Sequence, residues 1–126
     1  MKDKQRGNHG QSIVELTIML PVLLLFIVGA LDLGRALQAY VAVNQAAREA
    51  VRYGMANGQD AAGMTQVALD EVERGGLNRG AASVTVQTAD VGSPVRVTIQ
   101  YNFILVTTFW SSAPVVLSTT AEMVVL

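Results

Sequence analysis

The longest apolar stretch of the sequence lies close to its N-terminus. It runs from Ile13 to Leu31 as IVELTIMLPVLLLFIVGAL, with one acid, Glu15. In a helix that rises about 1.5 Å per residue, roughly 20 apolar residues cross a hydrocarbon core about 30 Å thick. No polar face develops between Leu16 and Leu31, as it would in a helix lying on a soluble domain. The pattern therefore predicts a helix that spans a membrane or inserts into one like a signal sequence.

Helical character continues beyond this run. From Asp32 to about Asn57 the sequence is rich in alanine and lacks proline, and apolar residues recur at helical spacing. The predicted stripe consists of Leu33, Leu37, Tyr40, Val43, Ala47, Ala50 and Val51. We interpret it as the face that packs on the chain's own domain, and helix contacts with other subunits as the alternative. If unbroken from about Ser12, the helix is roughly 65 Å long. Pro21 is expected to kink it, because the ring removes one backbone hydrogen bond.

The segment after the long helix predicts a second, shorter helix. Asn57-Gly58 is expected to end the long helix, with Gly58 in the left-handed conformation. Asp60 is the expected N-cap of a helix over Ala61–Arg74, which Gly75-Gly76 would end. The spacing of its apolar residues predicts one face that covers a sheet, formed by Met64, Val67, Ala68 and Val72.

The remaining sequence alternates apolar and polar residues, as half-buried strands do. The predicted strands are Ser83–Thr88, Val95–Phe103 and roughly Val115–Val125, with a turn at Gly92-Ser93-Pro94. The third strand is expected to turn one face inward, formed by Val115, Leu117, Thr119, Ala121, Met123 and Val125. The simplest α+β arrangement is a three-stranded antiparallel meander packed on the C-terminal half of the long helix.

Composition removes several classes of function. Ten acidic and nine basic residues give a formal charge of −1, so nothing suggests the basic face that a nucleic-acid partner requires. Cysteine is absent, and the only histidine, His9, lies in a polar leader. The acids of the predicted domain after the apolar run, called here the head, follow no catalytic motif. There is also no Gly-rich phosphate loop or metal-ligand pattern. We therefore expect no enzymatic activity, no metal and no cofactor.

The polar leader indicates how the chain is oriented. Met1–Gly10 places Lys2, Lys4 and Arg6 before the apolar run, against one acid, Asp3. Basic residues beside a spanning helix favour the cytoplasmic side. We expect a disordered cytoplasmic leader over residues 1–10, a transmembrane or assembly helix over 11–31 and a non-cytoplasmic domain over 32–126.

One short motif carries most of the functional information. Gly10 is followed five residues later by Glu15, at the mouth of the spanning run. A carboxylate is costly in lipid, so such a residue suggests a function. The alternatives are that Glu15 reaches the interface or offsets the helix dipole.

The sequence around this motif resembles a known family. GQSIVELTIMLPVLLLFIVGALDLGRA from Gly10 and NQAAREAVRY at Asn44–Tyr53 are similar to the TadE-type pseudopilins of tight-adherence (Flp) pilus systems. The resemblance implies a minor pilin in the bacterial inner membrane or, once incorporated, in the extracellular pilus. Other pilins and tight-adherence assembly proteins are the implied partners. The resemblance also implies that a prepilin peptidase cuts between Gly10 and Gln11, and that Glu15 meets a neighbouring subunit's new N-terminal amine.

Two further groups are candidates for contacts. Asp32 and Arg35 are three residues apart on one helical face just beyond the apolar run. We interpret them as a boundary salt bridge, with an intersubunit contact as the alternative. Phe109-Trp110, between the second and third strands, is either part of the domain's own core or an anchor at the membrane or on another pilus component.

A different class of function follows if the apolar run is a cleaved signal. Val28-Gly29-Ala30 resembles a signal-peptidase site, which would release a soluble binding module from Leu31 onward. The run is longer than a typical signal core and contains Pro21, and both features favour a retained anchor. A membrane-anchored binding module without a pilus role is the other alternative.

Overall fold

The fold is that of a computed structural model, which describes residues 8–106 and 113–126. Phe109 and Trp110 lie outside the described residues, so the prediction made for them stays a prediction. The described chain forms a long helix, a short helix, a single 3₁₀ turn and three strands. The α+β fold expected from the sequence is confirmed.

Helix α1 spans Asn8–Ala56 and contains 49 residues, or about 73 Å at 1.5 Å per residue. It begins earlier than expected, so residues 8–10 of the predicted disordered leader are helical. Elongating a helix adds one hydrogen bond per residue, and nothing in this segment opposes it as a proline would. The helical assignment continues without interruption through Pro21.

The end of α1 differs from the expected left-handed glycine cap. The side-chain amide of Asn57 donates a hydrogen bond to the carbonyl of Tyr53 at 3.2 Å and so satisfies one of the last carbonyls. Gly58 is not in the positive-φ region, where Gly76 and Gly92 lie. Glycine is needed at position 58 for space, because a Cβ there would stand 2.5 Å from the carbonyl oxygen of Ala89.

Helix α2 spans Ala61–Arg74, with the bounds that the sequence predicts. The Asp60 carboxylate caps it by accepting the N–H of Gly63 at 2.9 Å. After the helix, Gly76 takes a φ of 78° and reverses the chain. A Cβ at Gly75 would come 2.6 Å from the Cβ of Ala42. Glycine therefore lets α2 end close against α1.

Strands β1 (Ala82–Gln87), β2 (Pro94–Phe103) and β3 (Val115–Val124) form an antiparallel sheet in the order β1-β2-β3. The predicted meander is confirmed, and most of the strand ends are shifted by one residue. Every second residue of β2 faces the core and is buried, and these residues are Val95, Val97, Ile99, Tyr101 and Phe103. On β3 the predicted inward face is wrong at two positions, because Val115 is 42% and Met123 is 38% exposed, whereas Val125 at its end is buried.

The core of the head lies between the sheet and the two helices. Its members from α1 are small, namely Ala39, Val43, Ala46, Ala47, Ala50 and Val51. Met64, Ala68 and Val72 come from α2 and pack in the same cluster. The stripe predicted on α1 is wrong in its first half. Leu33, Leu37 and Tyr40 are 63%, 58% and 48% exposed. Two apolar faces run along this part of the helix, and the alanine face is the buried one.

Candidate functional site

The part of α1 that precedes Asp32, called here its lower half, presents an apolar surface that the chain itself does not cover. Of the large apolar side chains between Ile13 and Leu31, all except Val28 are about half exposed or more, from 48% for Ile27 to 73% for Phe26. Among the described residues, α1 is the one helix long and apolar enough to cross a membrane. Soluble monomers rarely expose so large an apolar surface, so this half of the helix requires lipid or protein around it.

Gly10, Gln11 and Glu15 occupy the first turns of this surface. All three are exposed, and a Cβ at Gly10 would meet no atom within 4 Å. Packing within the chain therefore does not require glycine at this position. No described residue donates a hydrogen bond to the Glu15 carboxylate or forms an ion pair with it. The carboxylate stands about 7.5 Å along the helix axis from Gly10.

Pro21 lies within the exposed half of α1 and has no N–H to donate to the carbonyl of Thr17, four residues before it. The hydroxyl of Thr17 is itself engaged, since it donates to the carbonyl of Ile13 at 2.7 Å. Neighbouring helices or local adjustments can satisfy such a freed carbonyl in lipid. The kink expected at Pro21 stays a prediction.

Asp32 marks the height on α1 at which the head begins. The residue is 3% exposed, and its Oδ1 accepts a hydrogen bond from the backbone N–H of Val106 at 3.0 Å. The Arg35 guanidinium lies 3.2 Å from the same oxygen and 5.4 Å from the centre of the Phe103 ring. The structure thus brings the two predicted residues together, with Arg35 between a carboxylate and an aromatic face.

Sequence reasoning missed the other half of this cluster. Val106 is 74 residues from Asp32, and its backbone N–H carries no sequence signal. The buried state of Asp32 also went unforeseen, because an acid next to an apolar run is expected to face water or headgroups. Its carboxylate holds the segment that follows β2 against α1.

The acids of the head engage neighbouring cations. Asp70 pairs with Arg79 at 2.6 Å, Glu71 with Arg74 at 2.7 Å and Glu122 with Arg96 at 2.5 Å. The described residues contain no group of three or more acids or histidines that could hold a metal. These pairs stabilise helix and sheet surfaces modestly.

At the end of the head farthest from the apolar half of α1, the Asp60 carboxylate accepts two hydrogen bonds. The Gly63 N–H, followed by the Tyr53 hydroxyl at 2.8 Å, holds the pKa of Asp60 below its ordinary value of 3.8. The same hydrogen bond to Asp60 raises the pKa of Tyr53 above 10.0. Asp60 is exposed to solvent and Tyr53 is half-buried, and the hydrogen bonds connect the N-terminus of α2 to the end of α1.

Comparison with known proteins finds a family match that lies entirely within α1. A family model described as TadE-like protein matches residues 10–52, about a third of the sequence. The matched segment begins at Gly10 and ends inside α1, so it contains the exposed apolar surface, Glu15 and the Asp32–Arg35 pair. Comparisons with curated proteins and with solved structures find no match.

Proposed function

We propose, from the match of residues 10–52 to the TadE-like family, that this chain is a minor pilin of a tight-adherence-type pilus. It takes part in assembling or priming the pilus after a prepilin peptidase has removed its leader. The observation that carries the proposal is the uncovered apolar half of α1, which bears Glu15 and is continuous with a folded head. Such a helix can be held first by lipid and then by the helices of neighbouring subunits.

In this proposal the chain is a single-pass protein of the inner membrane. The leader with Lys2, Lys4 and Arg6 stays in the cytoplasm, as basic flanks favour. The head lies on the opposite side, and the protein's final place includes the extracellular pilus if it is incorporated. Its partners are the bilayer, the prepilin peptidase, other pilins and the tight-adherence assembly proteins, with no nucleic acid.

Cleavage between Gly10 and Gln11 fits the properties of this segment. Gly10 is exposed and a Cβ there would meet no atom within 4 Å, so no described part of the chain covers the bond to be cut. The cut creates an ammonium at Gln11, about 6 Å along the helix axis from Glu15. A buried carboxylate and a buried ammonium each cost several kcal/mol alone, and pairing them offsets much of that cost. Between neighbouring subunits the pair would act as a check on register.

The role is a structural one, without a reaction of its own and without a cofactor. In the head, Asp70 and Glu71 are engaged in ion pairs and Asp60 in a helix cap.

Replacing Glu15 tests the proposal. We expect Glu15→Ala to remain in the membrane fraction, because it makes the helix more apolar, and to reduce pilus yield and its own recovery with sheared pili. Glu49→Ala is the matched control, since Glu49 is an exposed acid of the same helix whose ion pair with Arg52 is loose, at 3.9 Å. Normal piliation with Glu15→Ala, or an equal loss with Glu49→Ala, would contradict the proposed role.

A further inference from the structure

The end of the head nearest the apolar helix exposes a group of aliphatic side chains. Ile104 and Val106 follow β2 and are 69% and 63% exposed. Val115 and Val116 begin β3 and are 42% and 54% exposed. Because Phe103 pairs with Val115 in the sheet, the end of β2 and the start of β3 lie side by side. We call these four residues, Ile104, Val106, Val115 and Val116, the basal patch.

Contacts with α1 fix the height of the basal patch. The hydrogen bond from the Val106 N–H to Asp32 places it directly beyond Leu31, where the apolar run ends. The opposite end of the sheet lies much further along α1, since the N–H of Leu126 bonds to the carbonyl of Met55 at 3.0 Å. The sheet therefore extends along the helix, with its aliphatic end toward the apolar half.

Exposed apolar side chains of α1 extend to the part of the helix against which the basal patch lies. Leu31, Leu33 and Leu37, which flank Asp32 on α1, are each more than half exposed. The exposed face of the sheet changes character further up, where Arg96 pairs with Glu122 and the hydroxyls of Thr98 and Thr120 bond to each other. Exposed aliphatic side chains are thus found beyond the spanning run, on one end of the head, and Arg35 of α1 lies beside Ile104 at their edge.

We propose that the basal patch rests in the interfacial layer of the bilayer that α1 spans, so that the head lies on the lipid surface before assembly. This rests on the membrane anchoring in the proposed function, and it holds with or without a pilus role. Apolar side chains of interfacial elements lie roughly 5–10 Å into the boundary between headgroups and acyl chains. The head is tethered at that height by its own helix, so even a small patch is presented to lipid at a high effective concentration.

Arg35 fits the same placement. Its side chain is 52% exposed at the height of the basal patch, while Asp32 and Phe103 hold the guanidinium from the protein side. Long cationic side chains at membrane boundaries keep their charge among the headgroups and their stem along apolar surface. Lipid is therefore a better match than a second copy for a surface that combines aliphatic groups with one cation at its edge.

Quenchers attached to lipids can show whether lipid or protein covers the basal patch. The chain contains no cysteine, so single substitutions accept one environment-sensitive fluorophore each. Probes at Ile104→Cys and Val106→Cys test the patch, and a probe at Val91→Cys is the control at the distal end, where the native side chain is 77% exposed. A probe at Leu24→Cys reports whether α1 spans. The full chain is reconstituted in phosphatidylcholine–phosphatidylglycerol vesicles at no more than one copy per vesicle.

We expect spin labels near the headgroups to quench the probes at 104 and 106 several-fold more than the probe at 91. Adding Val106→Asp should abolish the excess quenching at 104, whereas Val91→Asp should not, and the Val106 N–H remains available to Asp32 in the variant. Quenching at 104 and 106 no greater than at 91 would overturn the proposal. So would protection from aqueous iodide without lipid quenching, which would mean that protein covers the patch. If the probe at 24 also escapes deep-lipid quenching, it is the anchoring that fails.

Discussion

Helix α1 is one continuous helix, but the apolar residues before Asp32 are large and exposed, whereas those buried after Asp32 are mostly small. Below Asp32 it carries leucine, isoleucine and phenylalanine, and nearly all of them are exposed. Above Asp32 its buried face consists mainly of alanine, at positions 39, 42, 46, 47 and 50. Large apolar residues stand where another medium must cover the helix, and small ones stand where the chain's own sheet and second helix approach closely.

The comparison explains why apolar content alone does not locate the core. Small residues permit close approach between elements, as the spacing between Gly75 and Ala42 shows. Large exposed residues in the lower half bury area only against lipid or other subunits. The most apolar part of this chain is therefore outside its folded core, and substitutions in the two halves should have different consequences.

The largest loss of stability is expected when a core side chain that packs against the upper half of α1 is shortened. Ile99 is completely buried in the central strand, so Ile99→Ala should lower the free energy of unfolding of the head by about 2–5 kcal/mol. Leu23→Ala removes a similar side chain from the lower half, where Leu23 is 60% exposed, and should leave the head's stability unchanged. Hydrogen exchange of the reconstituted protein measures both. Equal destabilisation by the two variants would contradict the claim that only the upper half of α1 contributes to the stability of the head.

The boundary between the halves should be sensitive at Asp32. Asp32→Ala leaves the Val106 N–H without its acceptor and Arg35 without its carboxylate, which should cost about 1–3 kcal/mol. The Val106 amide should then exchange faster than the amides in the middle of β2. Glu49→Ala serves as the control, because its exposed ion pair is worth at most about 1 kcal/mol. An unchanged Val106 amide in Asp32→Ala would contradict this account of the boundary.

Two glycines above Asp32 compare the exposed face of α1 with its buried face. A Cβ at Gly54 would lie 2.5 Å from the Sδ of Met64 and 3.1 Å from Val95, so Gly54→Ala should destabilise the head by about 1–3 kcal/mol. A Cβ at Gly34 meets no atom within 4 Å. Gly34→Ala should therefore gain about 0.5–1 kcal/mol from helix propensity. Thermal unfolding of the two variants in the same vesicles measures the difference, and a stability loss in Gly34→Ala would contradict it.

The smallest effect should be a pH dependence at the cap of α2. The pKa of Asp60 is lowered in the fold, so its charged form contributes stability above the ordinary value of 3.8 and loses that contribution as the pH falls through the lowered pKa. Asp60→Asn keeps an oxygen for the cap and removes the charge. The Tm difference between wild type and Asp60→Asn should be present at neutral pH and shrink on acidification. A difference that does not vary with pH would rule out this cap charge.

Local patterns in the sequence predicted most of the fold. The alternation of β2 and the cap of α2 depend on neighbours within a few residues, so Val97, Ile99 and Asp60 could be placed from the sequence alone. The apolar stripe of α1 could not be placed, because helical spacing allows two faces and the larger residues favoured the one with Leu33 and Leu37. Which face is buried depends on the sheet, far away in sequence.

The candidate site divides in the same way. Gly10 and Glu15 were recognisable because their spacing from the apolar run is local. The partner of Asp32 was not, because Val106 contributes only a backbone N–H from 74 residues away. Gly58 was placed correctly at the end of α1 for an incorrect reason, since the space beside Ala89 is a tertiary feature.

The central claim, a retained apolar stem processed at its cytoplasmic end, is tested most directly by the mature N-terminus. Intact-mass analysis of the membrane and sheared-pilus fractions should find a chain that begins at Gln11 when the prepilin peptidase is present and at Met1 when it is deleted. A chain that starts at Leu31 in the soluble fraction, or at Met1 in both strains, would contradict the account.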